Sequence, residues 1–282
     1  MRMLVAFAAL VAGSAAAVAA DGAFQPPTTL PEGPFGEMIA KGEAIFTETK
    51  ANAGAYVGNG LSCRNCHLDR GRLANSAPMW AAYGLYPQYR AKNKSVNTFT
   101  QRIQDCFRFS MNGKKPEADS EVMVALQSYI FWLATGAPIG TKLPGQGYKL
   151  LPKPAEAPNP ERGAAVFAAN CALCHGAEGQ GTKRADGGYQ FPPVWGPDSY
   201  NWGAGMHRVN TAAGFIKANM PFGRGGTLSD QEAWDVAAFI DSRPRPQDPR
   251  FTGDVADTRA KFHNDDDYYG VTVDGKVVGA EK

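Results

Sequence analysis

Two copies of the pattern C-x-x-C-H constrain this chain more than any other feature. The first copy is CRNCH (63–67) and the second is CALCH (171–175). The pattern is the attachment signature of c-type haem, in which the cysteines bind the haem vinyl groups and the histidine binds the iron. A single C-x-x-C could instead be a redox dithiol or half of a zinc site, but two copies, each followed by histidine, favour two covalently bound haem c groups. The expected attachment residues are Cys63, Cys66, Cys171 and Cys174, and the expected histidine ligands are His67 and His175.

The two motifs belong to a weak internal repeat. GEAIF (42–46) precedes the first motif, GAAVF (163–167) precedes the second, and an apolar helical pattern closes each unit at a matched distance. A repeat of about 100 residues indicates duplicated domains, because solenoid repeats have periods of about 20–50 residues. We therefore predict a mainly α fold with two class I cytochrome c-like domains in tandem. Each domain would bind one haem c, and a Pro/Gly-rich linker would join them.

The boundaries follow from local signals. Ser229 and Glu232 have the spacing of a capping box, so a helix is expected to begin there, and the first closing helix is expected after Ser120. Five prolines and three glycines in 140–162 indicate a linker. The polar end of the chain is expected to be a surface strap or disordered. The predicted units are a signal peptide (1–20), an N-terminal cytochrome c domain with the active-site haem (21–139), a linker (140–160), a C-terminal electron-transfer domain (161–245) and a polar tail (246–282).

The first residues indicate export. Arg2 precedes an apolar stretch, and the small residues at 18–20 fit a cleavage site, so a cleaved secretory signal and a periplasmic location are expected. No later segment has the length of apolar sequence that a membrane span needs. With a net charge of +2 and no clustered basic face, the chain lacks the pattern of a nucleic-acid-binding protein.

Each haem iron needs a second axial ligand, and its identity sets the redox potential. In the second domain, Met220 lies in a Met-Pro pair just before the closing helix, a layout that resembles small class I c-type cytochromes. We choose Met220 and keep Met206 as the alternative, with His207 as a weaker rival. A thioether ligand would favour the reduced iron and raise its potential.

In the first domain the equivalent spacing falls on Met111, but Cys106 lies five residues earlier. Cys106 is the one cysteine of five outside the two motifs. A free cysteine is usually a small buried hydrophobe, yet a spare thiol in an oxidising compartment invites wrong disulfides. Ligation to iron would hold Cys106 as a thiolate and lower the potential of that haem. Cys106 and Met111 therefore both remain candidates for the second axial ligand of the first haem iron.

Cationic and polar side chains surround Cys106. Arg102 precedes it by four residues, and the two share one face if the segment is helical. Arg108 and Ser110 follow, and Lys92 lies upstream. Arginine offers forked donors to oxyanions, so these residues together indicate a site for a small oxyanion.

Three segments together resemble the di-haem thiosulfate dehydrogenases: GLSCRNCHLDRGRLANSAPMWAAY, VNTFTQRIQDCFRFSMNG and the Met-Pro at 220–221. The resemblance covers about residues 35 to 245, and its specific element is the segment around Cys106. It implies His and Cys ligands on the first haem, with substrate bound by an arginine, a serine and, upstream, a further basic residue. The implied residues are His67 and Cys106 as ligands, Cys106 as the catalytic residue, and Arg102, Ser110 and Lys92 for substrate. Some members carry lysine before the second-domain methionine, where this chain has Asn219, so His175 and Met220 are expected as ligands in both redox states.

The activity implied by this resemblance is a periplasmic oxidation of two thiosulfates to tetrathionate, with reverse tetrathionate reduction also open. Two electrons would pass through both haems to a soluble acceptor such as a c-type cytochrome or a high-potential iron–sulfur protein. The alternatives are a non-catalytic di-haem electron carrier, with Met111 on the first haem, and a sulfur-oxidation subunit that carries sulfur on a haem-ligating cysteine.

Overall fold

A computed structural model describes residues 24–280, so the predicted signal peptide lies outside the described residues. Helices form most of the regular structure: α1 Pro34–Thr47, α2 Thr49–Ala53, α3 Leu68–Gly71, α4 Phe99–Asp105, α5 Glu121–Leu133, α6 Pro160–Asn170, α7 Ala172–His175, α8 Val209–Asn219, α9 Asp230–Asp241 and α10 Val255–Phe262. Short strands pair as antiparallel hairpins: β1 Gln88–Arg90 with β2 Ser95–Asn97, β3 Thr182–Lys183 with β4 Tyr189–Phe191, and β5 Thr272–Val273 with β6 Lys276–Val277.

In the first domain α1 packs across the closing helix α5. The crossing point is Gly42, where a Cβ would lie 2.1 Å from the carbonyl oxygen of Ala125. Only glycine allows the two backbones to approach so closely. Ser120 caps α5 by accepting a hydrogen bond from the Met123 N–H, as the sequence predicts.

The second domain repeats this arrangement with α6 and α9. Gly163 is the crossing point, and a Cβ there would lie 2.0 Å from the carbonyl oxygen of Asp235. The predicted capping box is present, because the side chains of Ser229 and Glu232 each accept from the other's backbone N–H. The glycines of GEAIF and GAAVF therefore have the same role in both domains, which is to let two helices cross in close contact. Helix α6 begins at Pro160, the last residue of the predicted linker.

The linker packs against the loop that follows the first C-x-x-C-H motif. The carbonyl of Gly145 accepts from the Asn75 N–H at 2.7 Å, and the carbonyl of Gly147 accepts from the Ala77 N–H at 2.8 Å. Between these bonds Ser76 and Tyr148 form an isolated β-bridge. The Pro/Gly-rich segment is therefore irregular but held in place by backbone hydrogen bonds.

The polar tail differs from the expected strap or disordered segment, because it contains α10 and the β5–β6 hairpin. Tyr269 and Val278 are buried and pack with Trp202 of the second domain. These apolar side chains are too widely spaced to stand out in a polar sequence, but together they build a small separate core. Within residues 24–280, no helix is long and apolar enough to cross a membrane.

Candidate haem and thiol site

Both C-x-x-C-H motifs are wound into a single turn. The His67 N–H donates to the carbonyl of Cys63 at 3.0 Å, and the His175 N–H donates to the carbonyl of Cys171 at 2.9 Å. Residues spaced by three and four positions lie on one face of such a turn. Each turn therefore directs two thiols and one imidazole to the same side, which is the arrangement that covalent haem attachment needs.

The two motif histidines are oriented by the same contact. His67 donates from Nδ1 to the carbonyl of Ala77 at 2.8 Å, and His175 donates from Nδ1 to the carbonyl of Pro192 at 2.8 Å. Burial lowers the pKa of His67 to about 4 and also lowers the pKa of His175. Both rings are therefore neutral at neutral pH, and each keeps the lone pair of Nε2 for a metal, with the other nitrogen held by an outer partner.

The four motif cysteines are half-buried free thiols, and no disulfide forms among the residues that the structure describes. Unpaired thiols next to a neutral imidazole fit haem c in both domains. When bound, the haems supply one-electron redox chemistry, with potentials set by their axial ligands.

The segment that carries Cys106 has an unusual backbone. Helix α4 begins with a capping box at Thr98 and then widens into a π-helical turn, Cys106–Ser110. Such turns occur frequently at functional sites. Phe107 and Phe109 are 2% and 3% exposed and anchor the turn in the core, whereas Cys106 is half-buried.

Arg102 contacts the sulfur of Cys106. Its Nη1 donates to Sγ at 3.1 Å, one helical turn away. Negative charge on Cys106 raises the pKa of Arg102, and the guanidinium in turn stabilises a thiolate. Burial, with negative charge on Cys106 adding to it, raises the pKa values of Cys63 and Cys66 to about 12. The sulfur of Cys106 therefore lies close to the first haem-attachment motif.

The other ligand candidates lie in different surroundings. Met111 is 3% exposed and packs in the first-domain core. Met206 packs against the cores of both domains, and Met220 lies at the end of α8 against the second-domain core. His207 is buried and faces Asp267 of the tail. The packing of Met111 in the apolar core and the contact of Cys106 with Arg102 favour Cys106 as the second ligand of the first haem iron. The assignment of the axial ligands stays a prediction.

Lys92 joins the first domain to the second. Its ammonium donates to the carbonyl of Gly203 and lies 3.8 Å from the ring centroid of Phe109. Burial lowers the pKa of Lys92 to about 7, and the positive charges of Arg102 and Arg250 add to this effect. Lys92 is therefore only partly protonated near neutral pH, and a bound anion would favour its charged form.

Lys92 is one of the residues that line an open pocket of about 440 Å³. Most of the charged side chains that line it are cationic: Lys92, Lys94, Arg108, Lys115, Arg250 and Lys261. The acidic lining residue Asp105 is bound to Lys115 at 2.9 Å. The pocket therefore attracts anions. Ser110 lies in the π-helical turn, and its carbonyl accepts from the Asn59 side chain at 2.8 Å.

Tyr148 lies near the first site and was not predicted from the sequence, whereas Asn219 was named only for its place before Met220. Tyr148 of the linker is half-buried, and burial raises its pKa well above the usual value, with charge on Cys66 adding and the charge of Arg102 opposing. Asn219 donates from Nδ2 to the carbonyl of Asn75 at 3.2 Å, across the domain boundary. No sequence signal could have found Tyr148, because a lone tyrosine in a linker has no pattern.

Comparison with known domains defines the class. The family described as "SoxA/TsdA, cytochrome c domain" matches residues 41–139, and the family described as "Cytochrome C oxidase, cbb3-type, subunit III" matches residues 158–240. Together with the two motif turns, these matches confirm two cytochrome c domains in tandem. The chain is thus a di-haem c-type cytochrome with two covalently bound haem c groups.

Its relatives are more specific. The chain is 54% identical over 93% of its length to "Thiosulfate dehydrogenase" of Stutzerimonas stutzeri, covering 86% of that protein. It is 53% identical over 94% of its length to "Thiosulfate dehydrogenase" of Thiomonas intermedia, covering 85%. The solved "Thiosulfate dehydrogenase (TsdBA)" of Marichromatium purpuratum superposes on 93% of this chain with a TM-score of 0.90 and 54% identity. The chain spans 58% of that longer protein. The chain belongs to the thiosulfate dehydrogenase family, as its motifs indicate.

Proposed function

We propose that this protein oxidises thiosulfate to tetrathionate and passes two electrons through its two haems to an external acceptor. The observation that carries the proposal is the contact of Arg102 with Cys106 beside the first C-x-x-C-H turn. A non-catalytic electron carrier has no need for a half-buried guanidinium that donates to a free thiol. Relatives that are 54% and 53% identical and named thiosulfate dehydrogenase support the same conclusion.

Cys106 is the proposed catalytic residue. Its thiolate forms a sulfur–sulfur bond with the terminal sulfur of one thiosulfate, a two-electron oxidation that leaves the adduct Sγ–S–SO3⁻ on Cys106. The two haems, when bound, would supply the acceptors for these two electrons. The terminal sulfur of a second thiosulfate attacks the sulfur that is bonded to Sγ. The Sγ–S bond breaks, tetrathionate is released and the Cys106 thiolate is the leaving group. Both steps need a charged and accessible sulfur, because the thiolate is the nucleophile and leaving group in such exchange.

The cations have two proposed roles. Arg102 stabilises the thiolate of Cys106 while it is not bound to iron, and with Lys92 it offsets the repulsion between two dianionic substrates. The basic pocket lined by Lys92 and Arg108 supports this, because it raises the local concentration of anions next to the π-helical turn that carries Cys106. Ser110 is proposed to donate a hydrogen bond to the substrate from the same π-helical turn.

The axial ligands belong to this proposal as well. We assign His67 and Cys106 to the first haem and His175 and Met220 to the second, which makes the second haem the stronger electron acceptor. The electron acceptor is proposed to be a small soluble c-type cytochrome or high-potential iron–sulfur protein in the periplasm.

The experiment is a thiosulfate-dependent reduction of ferricyanide by the purified protein, with tetrathionate measured as product. Cys106→Gly and Cys106→Met should abolish turnover while two haems per chain remain attached. Met111→Leu is the matched control, because it conserves volume in the core five residues away and should keep activity. A Cys106 variant with wild-type turnover would refute the mechanism, and wild-type protein that leaves thiosulfate unchanged would refute the function.

A further inference from the structure

The chain has four histidines, and two of them belong to the haem motifs. The other two, His207 and His263, meet in the fold with ring centroids 5.1 Å apart. Between them lies Asp267, whose Oδ2 is 3.3 Å from His207 Nε2 and 3.2 Å from His263 Nδ1. All three side chains are at most 3% exposed. A buried cluster of two imidazoles and one carboxylate therefore lies outside the candidate active site.

Hydrogen bonding alone does not satisfy this cluster. His207 Nδ1 contacts the carbonyl of Ala204 and Nε2 faces Asp267, while His263 Nδ1 faces Asp267 and Nε2 lies 3.2 Å from Asp248. All four ring nitrogens thus face acceptor oxygens, but a neutral imidazole has only one N–H. Each ring, when neutral, therefore holds one nitrogen lone pair against an acceptor oxygen.

The nearby carboxylates already have cationic partners. Asp248 binds Arg250 at 2.6 Å, and Asp267 lies 3.6 Å from Arg259. A divalent cation between the two rings would accept one lone pair from each neutral imidazole and would bind the Asp267 carboxylate at the same point.

The distances also fit a metal. A tetrahedral zinc site with bonds of about 2.0–2.1 Å places neighbouring ligand atoms about 3.3 Å apart. The carboxylate oxygen lies at 3.3 and 3.2 Å from the two facing nitrogens, and all three ligand atoms are within 4.8 Å of one another. We propose that His207, His263 and Asp267 bind a divalent transition-metal cation of the zinc type, with a water molecule as fourth ligand.

The partners of the remaining ring nitrogens support this proposal. His207 would donate from Nδ1 to the Ala204 carbonyl, and His263 Nε2 lies 3.2 Å from the Asp248 carboxylate. Metal-bound histidines almost always have such a partner on the other nitrogen, which fixes the tautomer and the ring orientation. A surface pocket of about 660 Å³ has His263 in its lining and therefore lies next to this cluster.

The ligands come from two parts of the chain. His207 ends the short turn Gly205–His207 of the second domain, whereas His263 and Asp267 follow α10 in the tail. The metal would therefore fasten the tail to the domain. It would also hold Asp248 and its partner Arg250, whose guanidinium lies 5.1 Å from the Phe109 ring beside Lys92. The site is structural and lies outside the haem chemistry.

The test is the metal content of the purified, haem-loaded protein by inductively coupled plasma mass spectrometry. We expect one zinc-type metal per chain in addition to the two haem irons. Zinc-edge X-ray absorption should show nitrogen and oxygen neighbours at about 2.0 Å. His263→Gln and Asp267→Asn should lose this metal while the haem iron stays constant. Asp265→Asn should retain it, because the Asp265 side chain is fully exposed.

The wild-type measurement keeps the proposal falsifiable if the variants do not fold. Substoichiometric metal in wild-type protein, even after incubation with Zn²⁺ and desalting, would overturn the proposal. Metal retained at full stoichiometry in both folded variants would also overturn it, because the cation would then bind elsewhere.

Discussion

Removal of the Arg102 guanidinium should slow catalysis because it removes the side-chain donor that contacts the sulfur of Cys106. In Arg102→Gln the contact at 3.1 Å is lost. A hydrogen bond to a charged group contributes about 1.5–3 kcal/mol, and each 1.4 kcal/mol changes a rate tenfold, so kcat/KM should fall about 10- to 150-fold. Arg102→Lys keeps the charge without the fork and should fall between this variant and wild type.

The assay is steady-state thiosulfate oxidation with ferricyanide, with kcat and KM determined separately. If Arg102 stabilises the reacting thiolate, kcat falls; if it only attracts substrate, KM rises with kcat unchanged. Lys114→Gln is the charge-matched control, because it removes one positive charge from an exposed side chain eight residues after Cys106. The reasoning is refuted if Arg102→Gln and Lys114→Gln have the same kcat/KM while both haems are present.

Three further changes test the fold and its charges. Gly42→Ala or Gly163→Ala places a Cβ about 2 Å from a backbone carbonyl oxygen. Thermal unfolding should therefore show that the free energy of unfolding falls by about 1–3 kcal/mol in either variant. Gly54→Ala is the control and should leave that free energy unchanged, because a Cβ at Gly54 would have no atom within 4 Å. Because burial lowers the pKa of Lys92 to about 7, the KM for thiosulfate should rise as pH increases through 7. Lys92→Arg should flatten that rise. If KM depends on pH in the same way in this variant and in wild type, Lys92 is not a substrate-binding residue. Although burial opposes ionisation, hydrogen bonds hold the pKa of Asp235 below its usual value, so its contribution to stability is present above about pH 4 and lost at lower pH. Denaturant unfolding of Asp235→Asn should depend less on pH in that range than wild type.

Much of the fold follows from local signals. Two C-x-x-C-H motifs predict two haem-binding domains, and the capping residues Ser120 and Ser229 predict where the closing helices begin, which the structure confirms. The glycines of GEAIF and GAAVF were visible as a repeat, but their close contacts depend on how two helices cross. The contact of Arg102 with Cys106 follows from their helical spacing, whereas the π-helical turn has no sequence signature.

The fold of the tail could not be predicted from local sequence signals. His207 and His263 are 56 residues apart in the sequence, in segments without a shared periodicity. Each looks like an isolated histidine until the tail folds back on the second domain. Tyr269 supports this packing by stacking on His263 at 4.1 Å. Contacts of this type depend on the complete tertiary structure, which explains why a polar composition wrongly suggested a strap or a disordered segment.

The loop at residues 75–77 has a consequence for any attempt to divide the protein. Its Ala77 carbonyl orients His67, the linker binds it through Gly145 and Gly147, and Asn219, the neighbour of Met220, binds it from the second domain. A fragment that ends before the linker keeps the first C-x-x-C-H motif but loses the scaffold on both sides of that carbonyl. We therefore expect such a fragment to hold its histidine less rigidly than the whole chain does. The unit that sets the properties of the first haem extends beyond the first domain.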